Sequence, residues 1–531
     1  MPETPVFSAA AVAAPHALAA ESGRAILAEG GNAIEAMVAM AATIALVYPH
    51  MNAIGGDGFW LVREPGGRVR GIEACGPAGS LATIERYREK GYDAIPPRGP
   101  DAALTVAGAV GGWMLALELA KSVGGRIPLG TLLSDAIRLA REGHPVSASE
   151  GREPAKELES ILNAPGFAET FYIDGKPASA GTLRKAPAFA DTLSQLGASG
   201  LDDFYRGDVG REIAADLERI GSPVTRADLE AYRARPRDPL TARLRDRTVY
   251  NLPPPTQGLA SLLILGIFER LGVTKGESVE HHHGLIEATK RALRIRDQVV
   301  TDFDRLTHDP HAFLTPEVFA REAAQIDMKR AAPFPLPPED GDTVWMGAID
   351  KDGLAVSYIQ SLYWEWGSGC VLPRTGIHWQ NRGVSFSLDP KSKNPLEPGR
   401  RPFHTLNPPI AVFDDGRVVS YGCMGGDGQP QFQAQILSRY ADFGMGPAEA
   451  VDAPRWLLGR TWGASNTSLK MEGRFDAGLV AALKRMGHDV EERSSPYMDD
   501  FGHAGMLVKH RRDGRVEATH DPRSDGGPAG L

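Results

Sequence analysis

Three cysteines among 531 residues, at 75, 370 and 423, are too few and too scattered for a disulfide framework or a thiolate metal site, and none forms a CxxC pair. That usage fits a reducing, cytoplasmic compartment. A dominant charge is lacking too: 58 Lys and Arg stand against 67 Asp and Glu, a net −9, with no basic cluster of the kind that binds nucleic acid. The most apolar stretch, 33–47, carries Glu35 and is shorter than the roughly 20 residues a bilayer helix needs. No membrane partner is expected. The N-terminus has no basic segment followed by an unbroken apolar core, so no secretory leader is expected. Repeats, charge blocks and low-complexity linkers are missing as well. Length alone would suit about three or four domains, but without dividing linkers one or two large units is the better expectation.

What is present centres on residues 341–363, GDTVWMGAIDKDGLAVSYIQSLY, which follow the proline-rich run APFPLPP at 332–338. Proline fixes φ and donates no N–H, so that run reads as an exposed connector. Two β-prone segments then flank the turn Asp350-Lys351-Asp352-Gly353, a hairpin with Thr343 at its start. Were the chain cut between Asp342 and Thr343, the new terminus would carry a hydroxyl nucleophile and an α-amine. The ordinary pKa of such an amine, roughly 7.7 to 8.0, suits a general base. On the local pattern alone, a threonine that merely opens a strand is the favoured reading.

Upstream, the sequence predicts a helix over 15–29, a second capped by Asn32, a hairpin at 59–75 after Gly55-Gly56-Asp57-Gly58, and mainly helices from 104 to 221. That glycine cluster lacks the features of a phosphate or dinucleotide loop and reads as a tight turn. A strand pair near 240–252 and helices at 257–271 and 281–300 follow. His281-His282-His283 point to different faces of the last helix, unlike an i, i+4 metal pair, so no metal is expected there. Downstream, a hairpin at 410–423 leads through Gly425 and Gly426 into a helix over 430–443, then a helix at 477–486 and strands near 506–509 and 516–519. Glycines at a strand-to-helix turn leave N–H groups open to an oxyanion, or are simply turn geometry.

Seven segments together resemble the γ-glutamyltranspeptidase family of N-terminal-nucleophile hydrolases over nearly the whole chain: GGNAIEAMVA at 30–39, IGGDGFWL at 54–61, PPPTQG at 253–258, GDTVWMGAIDKDGLAVSYIQS at 341–361, GRRPFHTLNPP at 399–409, GCMGGDGQPQ at 422–431 and DPRSDGG at 521–527. The resemblance implies an α+β fold, a four-layer αββα sandwich, made as one precursor. It implies self-cleavage into a large segment, 1–342, and a small segment, 343–531, that stay together as a heterodimer of one composite domain, with further pairing of such units left open. Thr343 would be nucleophile and base, Ser361 would support it where the family usually has Thr, and Gly425 and Gly426 would form the oxyanion hole. No cofactor is implied.

The departures bear on substrate. Counting along the motifs, the family's carboxylate-anchoring Arg is replaced by Glu73, its head-group readers by Tyr363, Arg382 and Ser385, and its Ser-Ser pair by His404-Thr405. A cation in place of the acidic amine reader favours a smaller acid without an ammonium, its carboxylate paired with Arg382 and hydrogen-bonded by His404 and Thr405. Arg382 in a structural ion pair is the competing reading. Tyr363, with Trp364 or Trp366, would shorten the site. Within the family the wording is most similar to members that hydrolyse oxamate to oxalate and ammonia. The expected activity is therefore that of a self-cleaving amidohydrolase of a small amide acid. A γ-glutamyl hydrolase or transpeptidase, a cephalosporin or glutaryl acylase, and an uncleaved binding relative are the alternatives.

Overall fold

Strand Asp57–Arg63 shows why the chain builds layers. Successive strand side chains point to opposite faces, and here both faces are apolar: Phe59 and Leu61 enter one buried cluster, Trp60 and Val62 another. Asp342–Ile349 repeats the pattern, with Trp345 and Ile349 on the first side and Val344, Met346 and Ala348 on the second. A sheet that is apolar on both faces must be covered on both.

The structure, a computed structural model, describes residues 2–153, 155–334, 342–459 and 467–531. Its first large sheet runs Gly527–Gly530, Ala11–Ala14, Asp342–Ile349, Ala355–Tyr363, Asp57–Arg63, Val69–Ala74, Arg235–Arg237. The second runs Val6–Phe7, Val516–His520, Ala504–Lys509, Val418–Cys423, Ile410–Phe413, Arg247–Asn251, Leu240–Arg243. Neighbouring strands in both are antiparallel. Phe59, Trp345, Ile359, Leu406 and Leu507 fill the space between the sheets. Ala33–Val47 and Ala109–Ser122 cover the outer face of the first sheet, Gly258–Arg270 and Gln429–Ala441 that of the second. The result is the expected four-layer αββα sandwich.

Local signals were followed closely. Asn32 accepts from the N–H groups of Ile34 and Glu35 while the Glu35 carboxylate accepts from Asn32 N–H, a reciprocal cap typically worth about 1 kcal/mol. The central hairpin forms as Asp342–Ile349 and Ala355–Tyr363, and the helix expected at 430–443 forms as Gln429–Ala441. Ala11–Ala14 and Gly527–Gly530 were not foreseen as strands, since Ala and Gly are poor strand formers. They pair with each other and extend the first sheet beside Asp342–Ile349. Of the proline-rich connector at 332–338, residues 335–338 lie outside the described residues.

Candidate active site

The central hairpin is irregular at the residue that matters. Val344 faces Gln360, but Asp342 faces Tyr363, so Ser361 and Leu362 together oppose the single residue Thr343. Such a bulge re-aims side chains, and bulges are enriched beside active sites. Thr343 is fully buried. Its hydroxyl donates to Ser361 Oγ at 3.2 Å and accepts from Gln429 Nε2 at 3.3 Å. Ser361 Oγ also accepts from the Tyr363 N–H at 2.8 Å.

Gln429, the first residue of helix Gln429–Ala441, is itself oriented. Asn407 Nδ2 donates to Gln429 Oε1 at 3.2 Å, and Asn251 Nδ2 donates to Asn407 Oδ1 at 3.2 Å. Each amide thereby turns its NH2 toward the next acceptor. The chain of donors runs Asn251, Asn407, Gln429, Thr343, Ser361, and it crosses from the second sheet to the first.

Just past Ser361 the backbone is strained: Tyr363 has φ +86° and Trp366 φ +59°, conformations uncommon for bulky residues and found at functional sites. The Tyr363 ring carries the Arg382 guanidinium 3.7 Å from its centroid. Arg382 Nη1 and Nη2 lie 3.4 and 3.5 Å from Thr405 Oγ1. Ser385 donates to the carbonyls of Arg382 and Phe403, at 3.0 and 3.1 Å. Its hydroxyl thus holds the turn that carries Arg382.

Asp57 faces Ser361 directly across the strand pair, so the two share a face. Asp57 Oδ1 accepts from Gly76 N–H, Gly108 N–H and Gln380 Nε2 at 3.1, 3.0 and 3.2 Å. Its Oδ2 lies 3.3 Å from His404 Nε2, not aligned as a hydrogen bond, and neither atom has a hydrogen-bond partner among the described residues. Burial pushes the Asp57 carboxyl up to about 7, against the opposing pull of Arg382 and the three donors. Burial, reinforced by Arg382 and Arg401, holds the His404 imidazole well below its ordinary value and therefore neutral at pH 7.

Two expectations resolve elsewhere. Glu73, where an anchoring Arg was looked for, lies between Arg237 Nε at 2.7 Å and Arg401 Nε at 3.0 Å, a structural pair. Trp366 does not shorten the site: its indole packs edge-on against Phe167 and Phe171 in a separate small core.

Residues 19–531 match the family described as Gamma-glutamyltranspeptidase. The chain belongs to the γ-glutamyltranspeptidase family. Among similar members is the oxamate amidohydrolase proenzyme of Klebsiella pneumoniae, 51% identical over 98% of both chains. The glutathione hydrolase-like YwrD proenzyme of Bacillus subtilis is 39% identical, again over 98% of both. The solved structure of a cephalosporin acylase from Bacillus halodurans superposes with a TM-score of 0.91 at 32% identity, covering 100% of this chain and 97% of that one. These neighbours carry the N-terminal-nucleophile hydrolase fold.

In this γ-glutamyltranspeptidase family member the glycine turn joins strand Val418–Cys423 to helix Gln429–Ala441. Gly425 and Gly426 have φ +115° and +51°, consecutive left-handed positions that glycine tolerates best. The turn brings a 13-residue helix end to Thr343 through Gln429, and a helix N-terminus favours negative charge. Of His281, His282 and His283, the first two each lie 3.5 Å from Glu277. His281 reaches Ser438, His282 packs on Phe475, and His283 meets His488 at 2.8 Å. Two groups could gather around an ion, Glu277 with His281 and His282, and Glu287 with His283 and His488. In each the carboxylate already holds a cation, Arg439 at 2.8 Å and Lys290 at 2.7 Å. Among the described residues no helix is long and apolar enough to cross a membrane.

Sequence reasoning missed Asp57, Gln429 and Asn407, although all three lie inside motifs it singled out. The available signal was an acid leading an otherwise apolar strand, and amides opening a buried helix or sitting in a proline-rich turn.

Proposed function

We propose that the chain is a precursor that cleaves itself between Asp342 and Thr343, giving segments 1–342 and 343–531, and that the mature protein hydrolyses a small amide acid of the oxamate type. The supporting observation is the Thr343 hydroxyl clamped between Ser361 and Gln429, in a buried site that also holds Arg382 and Thr405. In maturation the hydroxyl oxygen attacks the Asp342 carbonyl carbon, the C–N bond breaks, and the nitrogen takes the hydroxyl proton. Water then hydrolyses the ester and leaves Thr343 with a free α-amine.

In turnover the amine takes the hydroxyl proton as the oxygen attacks the amide carbon. N–H groups of Gly425 and Gly426 hold the oxyanion, aided by the helix end at Gln429. Collapse expels ammonia, and water resolves the acyl-threonine to the dicarboxylate. The substrate carboxylate lies against Arg382 and Thr405, with Tyr363 closing the pocket. The nucleophile and base both come from Thr343, so the chemistry calls on no cofactor. The 51% identity to an oxamate amidohydrolase supports the choice of acid.

The test is intact-protein mass spectrometry, with release of ammonia from oxamate and a glutaryl amide and of the aniline from a γ-glutamyl anilide. Two fragments dividing before Thr343, with ammonia from oxamate and a single unprocessed band for Thr343→Ala, are expected. Turnover confined to the glutaryl or γ-glutamyl compound would discard the small-acid pocket, and an uncut wild-type chain would discard the nucleophile.

A further inference from the structure

Asp57 and His404 are the polar groups of this site that the proposed chemistry leaves unused. Both are buried, at 1% and 0% exposure, and Asp57 Oδ2, His404 Nδ1 and His404 Nε2 have no hydrogen-bond partner among the described residues. Buried polar atoms without partners are costly and rare. Here they face one another across 3.3 Å, beside the Arg382 and Thr405 pair. With the imidazole proton on Nδ1, the Asp57 Oδ2 and His404 Nε2 lone pairs repel. An added proton, with a small turn of the ring, would make the contact a charge-assisted hydrogen bond.

We propose that Asp57 and His404 form a proton-holding pair that takes up one proton when a small carboxylate binds beside Arg382, making Asp57 a positioning residue of the acyl pocket. This rests on the reading of Arg382 and Thr405 as the carboxylate site. The physical reason is charge balance. In the empty pocket Arg382 stabilises ionised Asp57, which otherwise suffers from burial. A second carboxylate next to Arg382 adds a like charge in a low-dielectric site, and two such anions cannot both stay ionised cheaply. The proton bound on the pair restores neutrality and gives the ligand a donor rather than a repelling anion. Asp57 titrates from about 7 in the free protein, within reach of a neutral solution.

The other groups that sense Asp57 do not supply this proton. Burial raises the Cys75 thiol and the Tyr205, Tyr232 and Tyr358 phenols, which stay protonated. Arg401, which faces His404, is already paired with Glu73. The Thr343 amine of the processed protein is a second titrating group, so the test separates it through a variant. Asp57→Asn keeps an acceptor for the Gly76 and Gly108 N–H groups but cannot be ionised.

The experiment is titration calorimetry of the processed protein with oxalate, in buffers of different ionisation enthalpy. For a group at about 7, wild type should gain about 0.9 proton on binding at pH 8 beyond whatever the amine contributes. Asp57→Asn should lose that increment. Wild-type affinity should weaken about tenfold per pH unit above 7. A wild-type affinity that is flat between pH 6 and 8 overturns the proposal, and it does so without recourse to a variant. Equal proton uptake in wild type and Asp57→Asn overturns it while leaving the carboxylate pocket standing. No oxalate binding at any pH overturns both.

Discussion

Two buried charge clusters in this protein use the same residue types to opposite ends. Around Asp521, Glu472, Arg455 and Arg523, every carboxylate oxygen is engaged. Asp521 accepts from Arg455, Arg523 and the Ala504 N–H, and Glu472 accepts from Arg523, Arg474 and the Tyr497 N–H. Burial alone would raise the Asp521 carboxyl, yet Arg455 and Arg523 hold it far below the ordinary carboxylate range. Around Asp57, one oxygen and a whole imidazole have no hydrogen-bond partner among the described residues, and burial wins by pushing the carboxyl up to about 7. Carboxylates with every oxygen engaged make a structural joint, and a buried carboxylate with an oxygen left over leaves a site.

The comparison breaks most readily at the paired cluster. Replacing Asp521 by Asn leaves Arg455 buried without its carboxylate partner and Arg523 with Glu472 alone, a change expected to cost about 3 to 5 kcal/mol in denaturant unfolding. Turnover per folded molecule should stay near wild type. A loss under about 1 kcal/mol would mean that pairing and function are not divided as drawn.

The pH dependence sharpens it, because the two carboxyls differ in sign. Asp521 is lowered, so its stabilisation is present above its ordinary value near 3.8 and lost as pH falls below that. Asp57 is raised, so its contribution is full below 3.8 and lost as pH rises through 7. Asp57→Asn should therefore gain stability over wild type between pH 5 and pH 8, by on the order of 1 to 4 kcal/mol. A thermal-melt series showing no such crossover would contradict the raised carboxyl.

Arg382→Lys keeps charge but loses the planar stack on Tyr363 and the two-pronged grip. KM for oxamate should rise about 10- to 100-fold, roughly 1.4 to 2.7 kcal/mol, with unfolding little changed. A stability loss comparable to that of Asp521→Asn would instead make Arg382 a structural cation. Ser361→Ala removes one hydrogen bond to Thr343, and about fivefold slower processing and turnover, near 1 kcal/mol, is expected from rates on freshly purified protein. Unchanged rates would leave Gln429 alone as the group that aims the nucleophile.

Much of this was legible in the chain because it is local. Apolar, β-prone runs bounded by turns announced Asp57–Arg63 and the central hairpin, and the Asn32 cap marked the start of Ala33–Val47. Separate motifs in one order pointed to the family and to Thr343 with Ser361, whose hydroxyls are 3.2 Å apart. The strands Ala11–Ala14 and Gly527–Gly530 were illegible because small residues carry no period. They become strands only through each other and the sheet edge they extend.

The sequence by itself carried the family's motifs, whose resemblance implied the layered architecture, and it placed the hydroxyl at the head of the hairpin, since capping and turn chemistry act over a few residues. Only the tertiary structure decided which charges are satisfied. Glu73 was committed to Arg237 and Arg401, and Trp366 to a remote core. Asp57 was set opposite Ser361 with His404 beside it, and Gln429 was aimed at Thr343 through Asn407 and Asn251. Those partners come from segments up to hundreds of residues apart, and a buried charge becomes a joint or a site according to the neighbours that folding gives it.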